Sequence, residues 1–123
     1  MSIPPLNANS MMSPHRSVLE AHPETDDSKQ RLVEELQSRA KNAVSAKSWL
    51  EAKLLYEKAL TISTVEVPQK AIFYANLSLV EKNMGQMELA RNAAAEATRL
   101  DPEYVKGWWR LGNALTALKR WVT

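Results

Sequence analysis

Apolar residues recur three and four positions apart over most of the chain beyond Gln30, with polar residues between them. This spacing places the apolar side chains on one face of an α-helix. Five such segments follow one another, and short turn-forming stretches separate them. The predicted helices begin near Gln30, Trp49, Gln69, Met87 and Glu103. The chain is therefore predicted to be all-α.

The breaks between the segments carry their own signals. Gly85 is expected to end the third helix in a left-handed cap, and Asp101-Pro102 is expected to separate the fourth helix from the fifth. The stretch from Thr61 to Val67 is rich in β-branched residues, which favour strands. Because a lone strand has no partner here, we predict a helix end and a loop that Pro68 closes.

Residues 1–28 show no sustained period and contain four of the six prolines. Such a segment buries too little apolar surface to offset the entropy of ordering it. We therefore predict a disordered leader over residues 1–28 and one folded domain over residues 29–123. Asp27 and Ser28 are the expected cap of the first helix.

Composition narrows the possible functions. The 123 residues include no cysteine, two histidines that lie in the leader, and three glycines that do not form a phosphate-binding loop. We find no nucleophile–base pair and no carboxylate pair suited to acid–base work. The sequence therefore predicts a protein that is not an enzyme and that uses no metal and no cofactor.

The formal net charge of +2 hides an asymmetry. Residues 1–30 carry −2, whereas residues 31–123 carry +4. The mildly basic segment 31–123 suits an acidic peptide as a partner, but it lacks the clustered Lys and Arg of a nucleic-acid interface. The sequence has no apolar run long enough to span a membrane and no secretion signal, so we expect no membrane association and a cytoplasmic location.

The predicted helices repeat in pairs. Leu36, Tyr74 and Trp108 align as the large residue of each first helix, and a small residue follows each of them one helical turn later. The small residues are Ala40, Ser78 and Gly112. The step from the first repeat to the second is slightly longer than the next step, and its extra residues fit in the predicted loop after the second helix. Small residues at fixed positions let neighbouring helices approach closely.

A helix pair that recurs with a period of about 34 residues resembles the tetratricopeptide repeat. The clearest match is Trp108-x-x-Leu111-Gly112-x-x-Leu115, and the alanines of the second helices also fit the family pattern. The resemblance covers residues 33–123 and implies two full repeats plus the first helix of a third. An unrelated helical bundle with alanines at these places is the alternative.

The third repeat stops before its second helix, and repeat arrays need a terminal helix to cover the last apolar face. Five residues of the fifth helix are expected to be partly bare: Trp108, Leu111, Leu115, Leu118 and Trp121. We expect the chain to be a fragment of a longer protein. The alternatives are that self-association or the leader covers this face.

The first helices of stacked pairs line a concave groove, where a ligand can bind. Lys106 and Arg110 are four positions apart and share one helix face, and Asn76 is the counterpart of Arg110 in the preceding repeat. Gln37 and Lys41 lie on the corresponding face of the first helix. Cations and amide groups on one surface suit carboxylates, which only accept hydrogen bonds. The alternative is that these residues form only a solvated polar face.

The set resembles the carboxylate clamp of co-chaperone tetratricopeptide domains. Those domains hold the Glu-Glu-Val-Asp tail of the ninety- and seventy-kilodalton heat-shock chaperones. Carried over by position, Asn76, Lys106 and Arg110 match the clamp. Gln37 stands where the family has Lys, and Lys41 where it has Asn.

Trp109 and Asn113 are expected beside the groove, as an apolar wall and a hydrogen-bonding amide. The alternative for Trp109 is packing against the missing last helix. The resemblance thus implies a co-chaperone adaptor that binds an acidic C-terminal peptide. The competing hypothesis is a scaffold that packs partner helices, or associates with itself, through the uncovered C-terminal helix.

Overall fold

The computed structural model describes residues 13–62 and 64–122, except for the side chains of Ser13, Trp121 and Val122. A 3-10 turn at Ser13–His15 precedes six α-helices. They are α1 (Arg16–Leu19), α2 (Asp26–Ser45), α3 (Trp49–Leu60), α4 (Val67–Asn83), α5 (Met87–Leu100) and α6 (Val105–Val122). No strand occurs within these described ranges, which confirms the all-α prediction.

The helix boundaries follow the local signals closely. Helix α3 spans the predicted residues, and Pro68 lies in the first turn of α4, where a missing N–H costs nothing. Helix α6 continues past the predicted end near Leu118. None of the helices in the described part of the chain is long and apolar enough to cross a membrane.

Helix α2 begins earlier than the sequence pattern predicts. Its N-cap is Thr25, whose hydroxyl accepts a hydrogen bond from the Ser28 backbone N–H at 3.1 Å. The Ser28 side chain in turn accepts one from the Thr25 backbone N–H at 3.2 Å. This reciprocal pair satisfies two N–H groups that have no partner within the helix. Ser28 therefore takes part in the cap as predicted, but it does so as the third residue of α2.

The helices pack in consecutive pairs. Each helix from α2 to α6 contacts the next, and α4 also contacts α6. Alanines on α3 and α5, Ala52 and Ala90, are fully buried where the pairs cross. The Tyr56 and Phe73 rings meet in the core with their centroids 6.0 Å apart. Helix α3 therefore packs between α2 and α4, and α5 packs against both α4 and α6.

The described part of the leader is folded, in contrast to the predicted disorder. Residues 1–12 lie outside the described residues, but the chain from Pro14 to Thr25 lies against α2 and α3. Val18 of α1 is buried, and Lys58 Nζ donates a hydrogen bond to the Ala21 carbonyl at 2.8 Å. Long-range contacts of this kind supply the ordering energy that the local sequence lacks.

His15 takes part in the same attachment. Its Nδ1 atom lies 3.1 Å from Arg39 Nη1, and its Nε2 atom lies 3.6 Å from Glu51 Oε2. Arg39 also donates a hydrogen bond to the Pro14 carbonyl at 3.1 Å. The histidine thus belongs to the folded body, between α2 and α3, and serves as a structural contact there.

The turns after α2 and α4 occupy equivalent places in the first two repeats and are built alike. The Ser48 N–H donates to the Ala43 carbonyl, and the Gln86 N–H donates to the Glu81 carbonyl, each at 2.8 Å. This bond closes a helix end through one residue in the left-handed region. Gly85 occupies that position after α4 with φ of 78°, as predicted, but Lys47 occupies it after α2 with φ of 58°.

Replacing Lys47 by glycine is expected to stabilise the fold by about 0.5–1 kcal/mol, because a side chain in the left-handed region carries a steric cost that glycine avoids. Urea unfolding would measure the gain. Ala46→Gly is the matched control, since Ala46 has φ of −85° and gains nothing from glycine. Equal effects of both substitutions would contradict this explanation.

Candidate functional site

A cleft of about 500 Å³ opens between α2, α4 and the start of α6. The lining of this cleft brings together side chains that are far apart in sequence. Four predicted site residues line the cleft, namely Gln37, Lys41, Asn76 and Lys106. The predicted groove between the first helices therefore exists as a cavity, and each of the three helices contributes to it.

Asn76 and Tyr56 both line this cleft. Tyr56 comes from α3, is 2 % exposed, and forms a side-chain hydrogen bond with Asn76. Burial raises the pKa of the Tyr56 hydroxyl above its ordinary value, and the hydrogen bond with Asn76 opposes that rise. The hydroxyl therefore remains neutral at physiological pH, as a polar group in the lining of the cleft.

Arg110 lies beside the cleft, and its surroundings differ from those of Lys106. Its Cζ atom stands 5.7 Å from the centroid of the Trp109 ring, within the range of a cation–π contact. Burial raises the pKa of Tyr104, which lines the cleft, and the Arg110 charge opposes that rise. Arg110 is thus electrostatically coupled to the cleft through Tyr104.

Three predicted site residues are not among those that line the cleft. Arg110 is half-buried, and its Nε atom is buried with no hydrogen-bond partner in the described part of the chain. Trp109 is 61 % exposed and contacts Arg110, and Asn113 is half-buried on α6. The structure therefore brings four of the seven predicted residues into one cavity and leaves three on the neighbouring surface of α6.

Sequence reasoning missed the two tyrosines of the cleft. Tyr56 matches a family position on a second helix, which indicates packing alone. Tyr104 lies in the turn before α6, where no helical periodicity marks its direction. A chemical argument could have identified Tyr56. A tyrosine hydroxyl in a core generally requires a polar partner, and Asn76 supplies one.

The charged residues in the described lining of the cleft are all lysines. Its polar lining residues are two lysines, Gln37, Asn76, Ser45 and two tyrosines, and no Asp or Glu belongs to the described lining. Apolar side chains from α2 and α4, Val44, Ile72 and Leu79, complete the walls. Such a surface favours a ligand that has carboxylates and a small apolar group.

Comparisons with known proteins agree with the repeat. The chain is 29% identical over 89 residues to the small glutamine-rich tetratricopeptide repeat-containing protein 2 of Mycosarcoma maydis, which is 72% of this chain and 24% of that protein. It is 36% identical over 81 residues to the heat-shock protein cognate (HSC) co-chaperone sgt12 of Aspergillus fumigatus, which is 66% of this chain and 23% of that protein.

A third relative is human serine/threonine-protein phosphatase 5, at 31% identity over 86 residues, 70% of this chain and 16% of the phosphatase. The chain thus spans about a quarter or less of the length of each of these relatives. No family model matches the chain. The all-α helix-pair repeat is of the tetratricopeptide type, and the chain is similar to tetratricopeptide repeat-containing proteins that include co-chaperones.

Proposed function

We propose that this chain is a cytoplasmic adaptor that binds the acidic C-terminal peptide of a heat-shock chaperone in the cleft between α2, α4 and α6. The observation that carries the proposal is the convergence of Lys41, Asn76 and Lys106 from three helices on a cleft that has no acidic side chain among its described lining. The Aspergillus relative, a heat-shock protein cognate co-chaperone by name, supports the same class of partner.

Different residues bind different groups of the peptide. Lys106 and Arg110, four positions apart on α6, bind the side-chain carboxylates of the peptide, while Asn76 donates to its backbone. Arg110 is pre-oriented by its contact with Trp109, so it loses little side-chain entropy on binding. The apolar walls of the cleft receive the one apolar residue of the Glu-Glu-Val-Asp tail.

The first helix departs from the family pattern, and this changes how the terminal carboxylate is held. Lys41 supplies the cation from a position one helical turn beyond Gln37, the position at which the family has lysine. Gln37 then acts as an uncharged donor beside it. The peptide therefore binds with its terminal carboxylate displaced along α2 toward Lys41. A binding module of this kind performs no catalysis of its own.

Calorimetric titration of the full chain with a peptide that ends in Glu-Glu-Val-Asp tests the proposal. We expect a micromolar Kd, as is common for modest peptide interfaces. Lys106→Ala and Arg110→Ala are each expected to weaken binding about tenfold or more, because each removes a charge-assisted hydrogen bond. Lys41→Ala is expected to do the same and Gln37→Ala to have a smaller effect.

Two controls make the result specific. Arg31→Ala removes one exposed cation of α2 that does not belong to the cleft lining, and the affinity should stay unchanged. The same peptide with an amidated C-terminus should bind more weakly, because the terminal carboxylate is lost. Absence of measurable binding by the wild-type chain, or equal weakening by Arg31→Ala and Lys106→Ala, would overturn the proposal.

A further inference from the structure

Tyr56 of α3 belongs both to the core and to the cleft between α2, α4 and α6. The residue is 2 % exposed, yet it lines the cleft together with Asn76 of α4. Its ring packs against the fully buried ring of Phe73, with the two centroids 6.0 Å apart and the ring planes tilted by 42°. Close packing holds core side chains in defined rotamers. The Tyr56 hydroxyl therefore has a fixed position beside Asn76, which follows Phe73 by about one helical turn.

Asn76 is less constrained by packing, because it is only half-buried. Rotation about the terminal bond of an asparagine exchanges its donor with its acceptor, and this torsion is broad in the absence of a partner. The hydrogen bond between the side chains of Asn76 and Tyr56 removes that freedom. A fixed group of the core thus sets the orientation of a side chain that lines the cleft.

The direction of this hydrogen bond follows from its effect on Tyr56. The bond opposes the rise that burial causes in the pKa of the Tyr56 hydroxyl. A hydrogen bond lowers the pKa of a phenol when the partner donates to the phenolic oxygen, because that bond favours the charged form. The Asn76 amide N–H is therefore the donor.

This direction determines what Asn76 offers to a ligand. A carboxamide has two N–H groups and one carbonyl oxygen, and Tyr56 occupies one N–H. The second N–H and the carbonyl oxygen remain for the cleft. A peptide group of an extended backbone carries the complementary pair, one carbonyl acceptor and one N–H donor. With the opposite orientation, the carbonyl oxygen of Asn76 would be directed at Tyr56 instead.

We propose that Tyr56 is a positioning residue of the cleft, whose hydroxyl holds the Asn76 carboxamide in the orientation that binds the backbone of the acidic peptide. This role rests on the proposed function as far as the peptide is concerned, whereas the hydrogen bond is present in the free chain. The alternative is that Tyr56 serves the core alone, through its ring. Tyr56→Phe separates the two roles, because it keeps the ring and removes only the hydroxyl.

Nuclear magnetic resonance of the free, full chain tests the positioning without any peptide. The side-chain N–H signals of Asn76 are assigned by their loss in Asn76→Ala. We expect the wild-type signals to stand apart from those of exposed amides, and we expect Tyr56→Phe to move them toward the exposed amides. Tyr74→Phe is the matched control, because Tyr74 of α4 is half-buried and is not among the residues that line the cleft. It should leave the Asn76 signals unchanged.

Calorimetric titration with the Glu-Glu-Val-Asp peptide tests the consequence for binding. Tyr56→Phe is expected to weaken binding about two- to tenfold, because the peptide must then order the Asn76 side chain itself. Tyr74→Phe should leave the affinity unchanged. In the Asn76→Ala background, Tyr56→Phe should cause no further loss, because the residue through which it acts is absent. Circular dichroism checks that each variant is folded at the temperature of the titration.

Three outcomes would overturn the proposal. The first is a coincidence of the wild-type Asn76 signals with those of exposed amides, and this observation needs no variant. The second is equal affinity of Tyr56→Phe and a wild type that binds the peptide, and the third is additive losses in the double variant. A wild type that binds no peptide would overturn the proposed function instead. Asn76 signals that depend on the Tyr56 hydroxyl would support the positioning of Asn76 even then.

Discussion

Replacing Lys53 by alanine is expected to cost about 3–5 kcal/mol of unfolding free energy at neutral pH, and little at acidic pH. Lys53 of α3 lies 3.3 Å from Glu81 Oε2 of α4, and the two side chains are only 13% and 6% exposed. Its Nζ atom also donates to Gln86 Oε1 at 2.6 Å. Removal of Lys53 leaves a buried carboxylate without its counter-charge.

The sign of the pH dependence follows from the pKa of Glu81. Burial raises this pKa above the ordinary value of 4.5, and Lys53 opposes the rise through its charge and its hydrogen bond. Without Lys53 the pKa rises further, and the nearby Glu57 charge acts in the same direction. From about pH 4.5 upward the folded Lys53→Ala variant therefore binds more protons than its unfolded state, so its free energy of unfolding falls as the pH rises.

Urea unfolding of the wild type and Lys53→Ala between pH 4.5 and pH 8 measures this difference. The free energies of unfolding of the wild type and Lys53→Ala should be most similar at pH 4.5 and should diverge toward neutral pH. The double variant Lys53→Ala/Glu81→Gln should recover much of the loss and flatten the curve, because no carboxylate remains to be buried. A loss of stability that is equal at every pH would show that Lys53 contributes by packing alone.

The helices were predictable because each signal that defines them is local. The apolar period and the Pro and Gly positions place α3 to within a residue and α4 to within two. The Lys53–Glu81 pair was not predictable in the same way. The two residues belong to different helices and are distant in sequence, and their meeting depends on how those helices cross.

The candidate site was predictable to the extent that it follows the repeat. Repeat positions place Asn76 and Lys106 on equivalent helix faces, and both line the cleft. Trp109, the neighbour of Arg110 in sequence, is expected beside the groove; it is not among the residues that line the cleft, and its ring lies under the Arg110 guanidinium. Helix periodicity gives the face of a residue to within a broad arc, and adjacent residues such as these differ by about 100°.

Helix α1 shows a limit of a different kind. Four residues, Arg16–Leu19, are too few to produce a recognisable period. What holds them is remote: Arg39 contacts Pro14 from 25 residues away, and Lys58 contacts Ala21 from 37 residues away. Local propensity contains no information about such contacts, so the low hydrophobicity of the leader led to a prediction of disorder.

The repeat also makes a prediction about substitutions at equivalent positions. Ser78→Leu and Gly112→Leu introduce the same side chain at the same position of successive repeats. At Ser78 the new side chain must fit beneath α5, where the hydroxyl is 2.7 Å from the Ala90 carbonyl. Helices α4 and α5 must separate to admit it, and overpacking of this kind costs about 1–3 kcal/mol or more.

At Gly112 the substitution by leucine should stabilise the fold instead of destabilising it. A Cβ there meets nothing within 4 Å, so the leucine extends into open space. Leucine is a better helix former than glycine by about 0.8 kcal/mol, and α6 should gain stability of that order. Urea unfolding of both variants at one protein concentration gives the comparison. Gly112→Ala serves as the control for propensity without added bulk, and it should stabilise α6 to a similar degree. If Gly112→Leu instead destabilised the chain as much as Ser78→Leu, the α6 face would have to be covered in solution.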